Sequence, residues 1–250
     1  MLQTFHTRLT HKEKFTPDVY LFKFLCINPD IIRFEAGQYV ILQVPQPGGE
    51  VKKKLYSIFS PPTEMKTFDL VVKLVQNGIG STYLSSLQLG DEVIFDGPAG
   101  IFTLKEEGKH NGRDKVFIAT GTGIAPARSM ILEHLKKHPD ERFILLWGVP
   151  KEEDVYFYDE WKKLHDENPN FNFIVFLSRA VAVSKPDHFM LGRVNKGIDE
   201  LHTKFGKPTG GTYADLDVYI AGDRDIVESI KQYLLTLGAD PLHVVTEKFV

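Results

Sequence analysis

Short apolar runs punctuated by turn residues fill the first hundred positions. Residues 19–25, 39–44, 54–57, 68–75 and 92–95 are rich in Val, Ile, Leu, Phe and Tyr. Clusters such as Pro45-Gln46-Pro47-Gly48-Gly49 and Ser60-Pro61-Pro62 separate them. Closely spaced strands with Gly/Pro punctuation predict a barrel or a sandwich. One short helix is predicted over residues 82–87. After about residue 112 the rhythm changes. Strands are predicted at 116–119, 143–147, 173–177, 218–221 and 244–245, and helices from 124 to about 137 and at 158–165, 195–203 and 224–237. Strand and helix in alternation imply a parallel sheet covered on both faces. The polar, glycine-containing stretch 106–112 marks the boundary between a domain of residues 1–108 and one of 113–250.

Composition narrows the class. The chain has 250 residues, 42% of them hydrophobic and 25% charged, enough for two modest domains with real cores. Its single cysteine, Cys26, excludes an intrachain disulfide and any centre that needs several thiolates, an iron–sulfur cluster included. A net charge of -3 argues against nucleic acid as a partner. Arg8, His11, Lys12, Glu13 and Lys14 interrupt any leader-like apolar run, and no uncharged stretch is long enough to span a bilayer. No membrane association and a cytoplasmic location are expected. The nine histidines show no metal-ligand spacing, so no metal is expected; His134 and His138 read as a solvated helix face.

The segment Gly121-Thr122-Gly123-Ile124-Ala125-Pro126 carries the first chemical signal. It follows the first strand of the α/β half and opens a helix. Glycines there allow a tight turn and close approach of backbone to ligand, and the helix start offers free N–H groups to a pyrophosphate.

Further segments fall into a recognisable order. Phe34-Glu35-Ala36-Gly37-Gln38-Tyr39 precedes Lys54-Leu55-Tyr56-Ser57. Gly78-Ile79-Gly80-Ser81-Thr82 and Gly97-Pro98-Ala99-Gly100-Ile101-Phe102 follow. Then come the glycine loop, Ser178-Arg179, Gly192-Arg193-Val194, Ala221-Gly222-Asp223 and Glu247-Lys248-Phe249-Val250. Over almost the full length this resembles the ferredoxin–NADP reductase superfamily, nearest in pattern to the bacterial ferredoxin (flavodoxin)–NADP reductases. The resemblance implies an N-terminal antiparallel β-barrel that binds FAD and a C-terminal α/β parallel-sheet domain that binds a nicotinamide nucleotide.

It also implies roles. Tyr56 packs on the isoalloxazine, and Ser57 stands near flavin N5, where its hydroxyl can donate and accept. Val71, Val72 and Lys73 run along the flavin through their backbone. Gly80, Ser81 and Thr82 hold its pyrophosphate at a helix start. Lys54 stands where the family commonly has Arg; a point charge replaces a planar fork, so FMN in place of FAD stays open. Thr120, Gly121, Thr122 and Gly123, with Gly222 and Asp223, meet the nicotinamide nucleotide. Ser178, Arg179 and Arg193 meet its adenosine end, and two arginines there favour NADP(H) over NAD(H). Ala221 replaces a cysteine that many relatives carry beside the nicotinamide. Glu247, Phe249 and Val250 cover the flavin, with Glu247 as a candidate proton donor.

The implied activity is hydride transfer between NADP(H) and FAD, with electrons passed to or from ferredoxin or flavodoxin. Lys52 and Lys53 are candidates for the docking rim of such an acceptor. Two alternatives stand beside it: the reductase component of an oxygenase or a free-flavin or ferric reductase, and, in a different class, a flavin-binding electron-transfer subunit with little turnover of its own. Oligomeric state is not legible in the sequence.

Overall fold

The computed structural model describes residues 2–104, 112–206 and 211–249. These form two compact units, one running to Leu104 and taking in Arg128–Glu133, the other holding the remainder. The expected boundary at 106–112 falls outside the described residues except for Gly112.

The first unit is a six-stranded antiparallel sheet. Its strands are β1 (Gln3–Lys14), β2 (Val19–Asn28), β3 (Tyr39–Pro45), β4 (Val51–Ser57), β5 (Thr67–Lys73) and β6 (Glu92–Ala99), in the order β4-β3-β6-β1-β2-β5. Period-2 alternation sends Phe5 and Leu9, Phe22 and Phe24, Val40 and Leu42, and Val93 and Phe95 into one core. Phe24, Phe68 and Phe95 meet there at ring-centroid distances of 4.9 to 5.6 Å. The sheet curls into a half-barrel. Its end strands β4 and β5 approach each other but share no ladder, so neither has a second strand partner. On the outer edge of β5 only Asp69 is met, its carbonyl by the Phe59 N–H at 2.8 Å and its N–H by Ser60 Oγ at 3.0 Å, among the hydrogen bonds of the described residues. Helix α1 (Ile79–Ser86) packs on β3 and β4. Two glycine motifs serve this curl. A Cβ on Gly37 would lie 2.0 Å from the carbonyl oxygen of Phe102, and Gln38 donates to the carbonyl of Gly100.

The second unit is a parallel sheet of β7 (Asp114–Thr120), β8 (Phe143–Val149), β9 (Phe171–Leu177), β10 (Phe189–Leu191), β11 (Leu216–Asp223) and β12 (Val244–Phe249), ordered β10-β9-β8-β7-β11-β12. Helices α2 (Ile124–His134), α3 (Tyr158–Glu167), α4 (Asn195–Lys204) and α5 (Arg224–Thr236) connect them. The central strands are buried on both faces and therefore read as unbroken apolar runs. Ile198 of α4 and Val227, Ile230 and Leu234 of α5 pack on Val116, Ile118, Ile144, Val218 and Ile220.

The predicted two-domain class is the observed one. Two strands escaped prediction, β1 and the three-residue β10. His134 is buried rather than on a solvated face. No helix among the described residues is long and apolar enough to cross a membrane.

Candidate functional site

In the first unit the flavin motifs meet where β4, α1 and β5 come together. β4 pairs only with β3, with Tyr56 opposite Val40 and Ser57 opposite Tyr39. Tyr56 is half-buried, and burial pushes its phenol up to about 12, so it stays neutral at every physiological pH. Gly80 is buried in the first turn of α1. A Cβ there would stand 2.4 Å from Tyr56 Oη and 2.9 Å from Lys54 Cγ. Only glycine lets the helix start sit this close to β4. The three residues Lys54, Tyr56 and Gly80 are thus one cluster, and the Lys54 ammonium has no ion-pair partner among the described residues. The first turn of α1 carries no acidic residue, and its leading N–H groups have no intrahelical acceptor. Beside it opens a cavity of about 490 Å³ lined by Val44, Gln46, Asn77, Ile79, Thr82 and Tyr83.

The other predicted residues of this unit contribute backbone rather than side chain. Ser81 Oγ donates to the Gly78 carbonyl and accepts from the Val75 N–H, both at 3.2 Å, so its hydroxyl is engaged within its own loop. What Ser81 can offer a phosphate is its N–H. Thr82 is exposed. Val71 and Val72 bury their side chains, and Lys73 pairs with Asp18 at 3.5 Å. Since β5 pairs only with β2, its free edge leaves main-chain groups for a ligand.

The lysine row of β4 divides into three fates. Lys52 pairs with Glu50. Lys53 Nζ lies 2.8 Å from Asp96 Oδ2, and Asp96 also accepts from Thr4 and Gln43 at 2.8 Å. Lys53 therefore neutralises a buried carboxylate, although its own side chain stays 59% exposed. Only Lys54 is left to meet an external anion.

In the second unit the predicted residues line the C-terminal edge of the parallel sheet. Strand order reverses between β7 and β11, the place where open α/β sheets bind ligands. At that reversal the ends of the two strands touch. A Cβ on Gly123 would fall 2.2 Å from the carbonyl oxygen of Ala221, and one on Gly222 would fall 2.0 Å from Thr120 Oγ1. The N–H of Asp223 donates to the same Thr120 hydroxyl at 3.3 Å. Gly121 has φ +53°, in the left-handed region. Thr120, Gly121, Gly123, Gly222 and Asp223 are therefore together, with Thr122 half-exposed on the loop. The Asp223 carboxylate also caps α5, accepting from the N–H groups of Asp225 and Ile226.

Farther along the same edge, β9 and β10 end in parallel register, Leu177 opposite Leu191. Ser178-Arg179 and Gly192-Arg193 thus leave neighbouring strand ends, and both arginines are exposed. On the other side, β12 pairs Glu247 with Ala221 and Phe249 with Asp223. The predicted tail is accordingly the end of a strand. Val250 lies outside the described residues.

Two residues that sequence reasoning missed hold the glycine loop. Trp147 Nε1 and Tyr156 Oη both donate to the Gly121 carbonyl, at 3.0 and 3.3 Å, and their rings meet edge-on with centroids 4.9 Å apart. The only advance signal was a tryptophan at the end of β8.

The residues present fit the two groups that the motifs imply. The first unit supplies an aromatic face, an unpaired cation and a helix start held close by Gly80. The second supplies a glycine turn that a Cβ would fill.

Comparison with known proteins agrees. Residues 6–104 match the family of oxidoreductase FAD-binding domains, and residues 117–232 match oxidoreductase NAD-binding domains. The chain is 32% identical over 248 residues to ferredoxin–NADP reductase B of Sorangium cellulosum, covering 99% of this chain and 98% of that protein. It is 30% identical over 219 residues to the toluate 1,2-dioxygenase electron transfer component of Pseudomonas putida, covering 87% of this chain but only 59% of that protein. A ferredoxin NADP+ reductase from Neisseria gonorrhoeae, solved with bound FAD and NADP, shares the fold with a TM-score of 0.82 at 23% identity, covering 98% of each chain. With an FAD-binding and an NAD-binding domain in this order and a relative of this identity along its whole length, the chain belongs to the ferredoxin–NADP reductase superfamily of flavoenzymes.

Proposed function

We propose that the protein is an FAD-dependent, NADPH-preferring reductase that exchanges electrons with a ferredoxin or flavodoxin. The observation that carries the reading is the cluster of Tyr56, Lys54 and Gly80 at the start of α1, an aromatic face and a free cation set against a helix N-terminus. Bound FAD supplies the redox chemistry, exchanging hydride with a nicotinamide and electrons with a protein acceptor.

The chain's own residues bind, orient and exclude water. Tyr56 lays its neutral ring against the flavin, worth about 1 kcal/mol beyond burial. Ser57 offers a hydroxyl to the edge of the ring system. Lys54, the N–H groups of Gly80 and Ser81 and the exposed Thr82 hydroxyl take the phosphates, the Thr82 N–H being spent on the Gly78 carbonyl at 2.9 Å, and β5 meets the ring through main-chain groups of Val71, Val72 and Lys73. On the parallel sheet, Thr120, Gly121, Thr122 and Gly123 take the nicotinamide nucleotide's pyrophosphate, with Gly222 beside them. Ser178, Arg179 and Arg193 take the adenosine end, where two guanidinium groups suit a 2′-phosphate. Phe249 keeps water from the flavin, and Glu247 delivers a proton. The domains divide as residues 1–108 and 113–250, and the cytoplasm is the working compartment.

Purified protein should be yellow and release FAD on denaturation. Arg179→Ala should lower kcat/KM for NADPH about ten- to a hundredfold relative to NADH, the loss of one charged hydrogen bond. Release of FMN alone, or equal effects on both coenzymes, would overturn the respective assignment.

A second reading is favoured by the likeness to the toluate dioxygenase component, which is an electron transfer partner of an oxygenase by name. Under it, NADH-driven reduction of an oxygenase would outrun that of ferredoxin or flavodoxin in the same assay.

A further inference from the structure

We infer that Glu152 is a positioning residue that clamps the loop carrying Arg179 and thereby sets the preference for a 2′-phosphorylated nucleotide. The inference rests on the proposed role of Arg179 and adds the device that holds it.

Residues 178–188 join β9 to β10. The tip is Ala180-Val181-Ala182-Val183, with Val181 95% exposed and none of the four fully buried, so little apolar burial orders it. Order must come from tethers. At the near end, the N–H of Ser178 donates to the Val149 carbonyl at 3.0 Å and the N–H of Arg179 to the Pro150 carbonyl at 2.8 Å. At the far end, both oxygens of Glu152 are engaged by Ser184, one by its N–H at 2.6 Å and the other by its hydroxyl. The Lys185 ammonium then sits over the rings of Tyr158 and Phe189, at 4.8 and 5.3 Å.

The base of the clamp is itself fixed. Glu152 opens the turn Glu152–Asp154, in which the Lys151 N–H donates to Asp154 Oδ2 at 3.0 Å and the Asp154 N–H to the Lys151 carbonyl at 3.1 Å. Pro150 and Glu152 therefore hold the two ends of one loop from a single rigid stretch. The chain closes into a small ring, Pro150–Arg179 on one side and Glu152–Ser184 on the other. The Ser184 hydroxyl and N–H hold the Glu152 carboxyl below its ordinary range, so the clamp stays ionised at neutral pH.

The sign of the electrostatics separates this role from a bland one. A bare carboxylate near a bound phosphate repels it. Were Glu152 only a surface charge, removing that charge would tighten binding of a 2′-phosphate. As a clamp, its loss frees the loop. If the loop keeps the competent arrangement a tenth to a third of the time, apparent affinity falls about three- to tenfold.

The test uses the full-length flavoprotein and two probes, 2′-AMP and 5′-AMP, titrated into wild type, Glu152→Ala, Glu152→Gln and Arg179→Ala. Trypsin supplies an independent readout of loop order, since Arg179–Ala180 is cleavable whereas Lys185 precedes Pro186 and is not. Glu152→Ala should weaken 2′-AMP about three- to tenfold, spare 5′-AMP and speed nicking after Arg179. Glu152→Gln should behave nearly as wild type, because its amide can accept from the Ser184 N–H and donate to the Ser184 hydroxyl. Equal tightening of 2′-AMP in both Glu152 variants would overturn the clamp. So would unchanged 2′-AMP affinity in Glu152→Ala while Arg179→Ala abolishes discrimination. If Arg179→Ala itself leaves 2′-AMP binding unchanged, the phosphate reading of the loop fails, and the specificity role of Glu152 falls with it.

Discussion

Replacing Gly80 by alanine sets two effects of known sign against each other. Alanine is favoured over glycine in a helix interior by about 1 kcal/mol, less in a first turn such as this one. Against it stands a Cβ 2.4 Å from Tyr56 Oη and 2.9 and 3.1 Å from Lys54 Cγ and Cβ. Tyr56 is held at its other end by the core beneath the sheet, so its ring must retreat by roughly 1 Å to regain ordinary contact. Lys54 is met at its stem, so swinging its ammonium away does not help. Overpacking of this kind costs about 1–3 kcal/mol, which leaves a net stability loss of roughly 0–2 kcal/mol. The functional loss should be larger than the stability loss, because the strain falls on two proposed flavin ligands. FAD affinity should drop about ten- to a hundredfold. Titrating apoprotein with FAD and following quenching of flavin fluorescence measures it, with a thermal melt alongside. Tyr56→Phe removes the nearest clashing atom, so in the Gly80→Ala background it should recover part of the loss. The recovery should appear as a coupling of at least about 0.5 kcal/mol in the double-mutant cycle. Wild-type FAD affinity in Gly80→Ala, or strict additivity with Tyr56→Phe, would refute the packing argument.

Three further perturbations follow from the same structure. Burial raises the Asp69 carboxyl to about 6, outweighing Lys23 at 3.6 Å and Arg128 of the same unit, while Glu64 pushes the same way as burial. A folded value above the unfolded one means that ionised Asp69 costs stability above about pH 6, and that the cost fades as pH falls towards 4. Asp69→Asn should therefore raise Tm at pH 8, by at most about 3 kcal/mol of stability, and change little at pH 4.5; a lower Tm at pH 8 would contradict this. Burial raises the Asp96 carboxyl, but hydrogen bonds from Lys53, Thr4 and Gln43 bring it below its usual value. Lys53→Ala should thus cost about 1 kcal/mol at pH 7, less once acid protonates Asp96, and should slow protein acceptors no more than ferricyanide; a selective effect on protein acceptors would assign Lys53 to the docking rim instead. Deleting Phe249 and Val250 should leave flavin bound and tighten NADP+ about two- to tenfold, the worth of one aromatic contact, as read by a charge-transfer band; weaker binding would assign Phe249 to packing alone.

What the sequence made legible follows the strength of local periodicity. The parallel sheet was readable because strands buried on both faces are unbroken apolar runs, as in Val116-Phe117-Ile118-Ala119. β1 was not, although it lies in the middle of its sheet between β2 and β6. Only Phe5, Thr7 and Leu9 are fully buried, and polar residues such as Thr4, His6, Arg8 and Thr10 fill the solvent face. A strand half of whose side chains are solvated looks like a polar tail unless the two-residue period is counted. Site residues divide in the same way. Gly80, Gly123 and Gly222 each sit at a close approach that a Cβ would fill, so motif order singled out positions with a local geometric reason. Trp147, Tyr156 and Glu152 act on a carbonyl or a serine 26 to 35 residues away in sequence, a relation that only the fold creates. The lysine row shows the limit most sharply. Lys52, Lys53 and Lys54 are equivalent in sequence, and their differing partners separate them.

Ala221 illustrates why departure from a motif need not unmake a site. The position sits at the end of β11, in register with Ala119 on one side and Glu247 on the other, and is almost fully buried. Its carbonyl is the atom that the missing Cβ of Gly123 leaves room for, and its successor Gly222, at φ +141°, leaves room for Thr120 Oγ1. The close approach of β7 and β11 is therefore secured by two absent side chains and one threonine hydroxyl. None of these depends on what Ala221 carries beyond its Cβ. A cysteine here would add a sulfur atom to the same backbone; alanine withdraws that atom and leaves the glycine turn, the helix start of α2 and the Asp223 cap of α5 where they are. The architecture of the nucleotide site is thus a property of backbone packing at the reversal of strand order. Any effect of the alanine is confined to the contact its side chain makes.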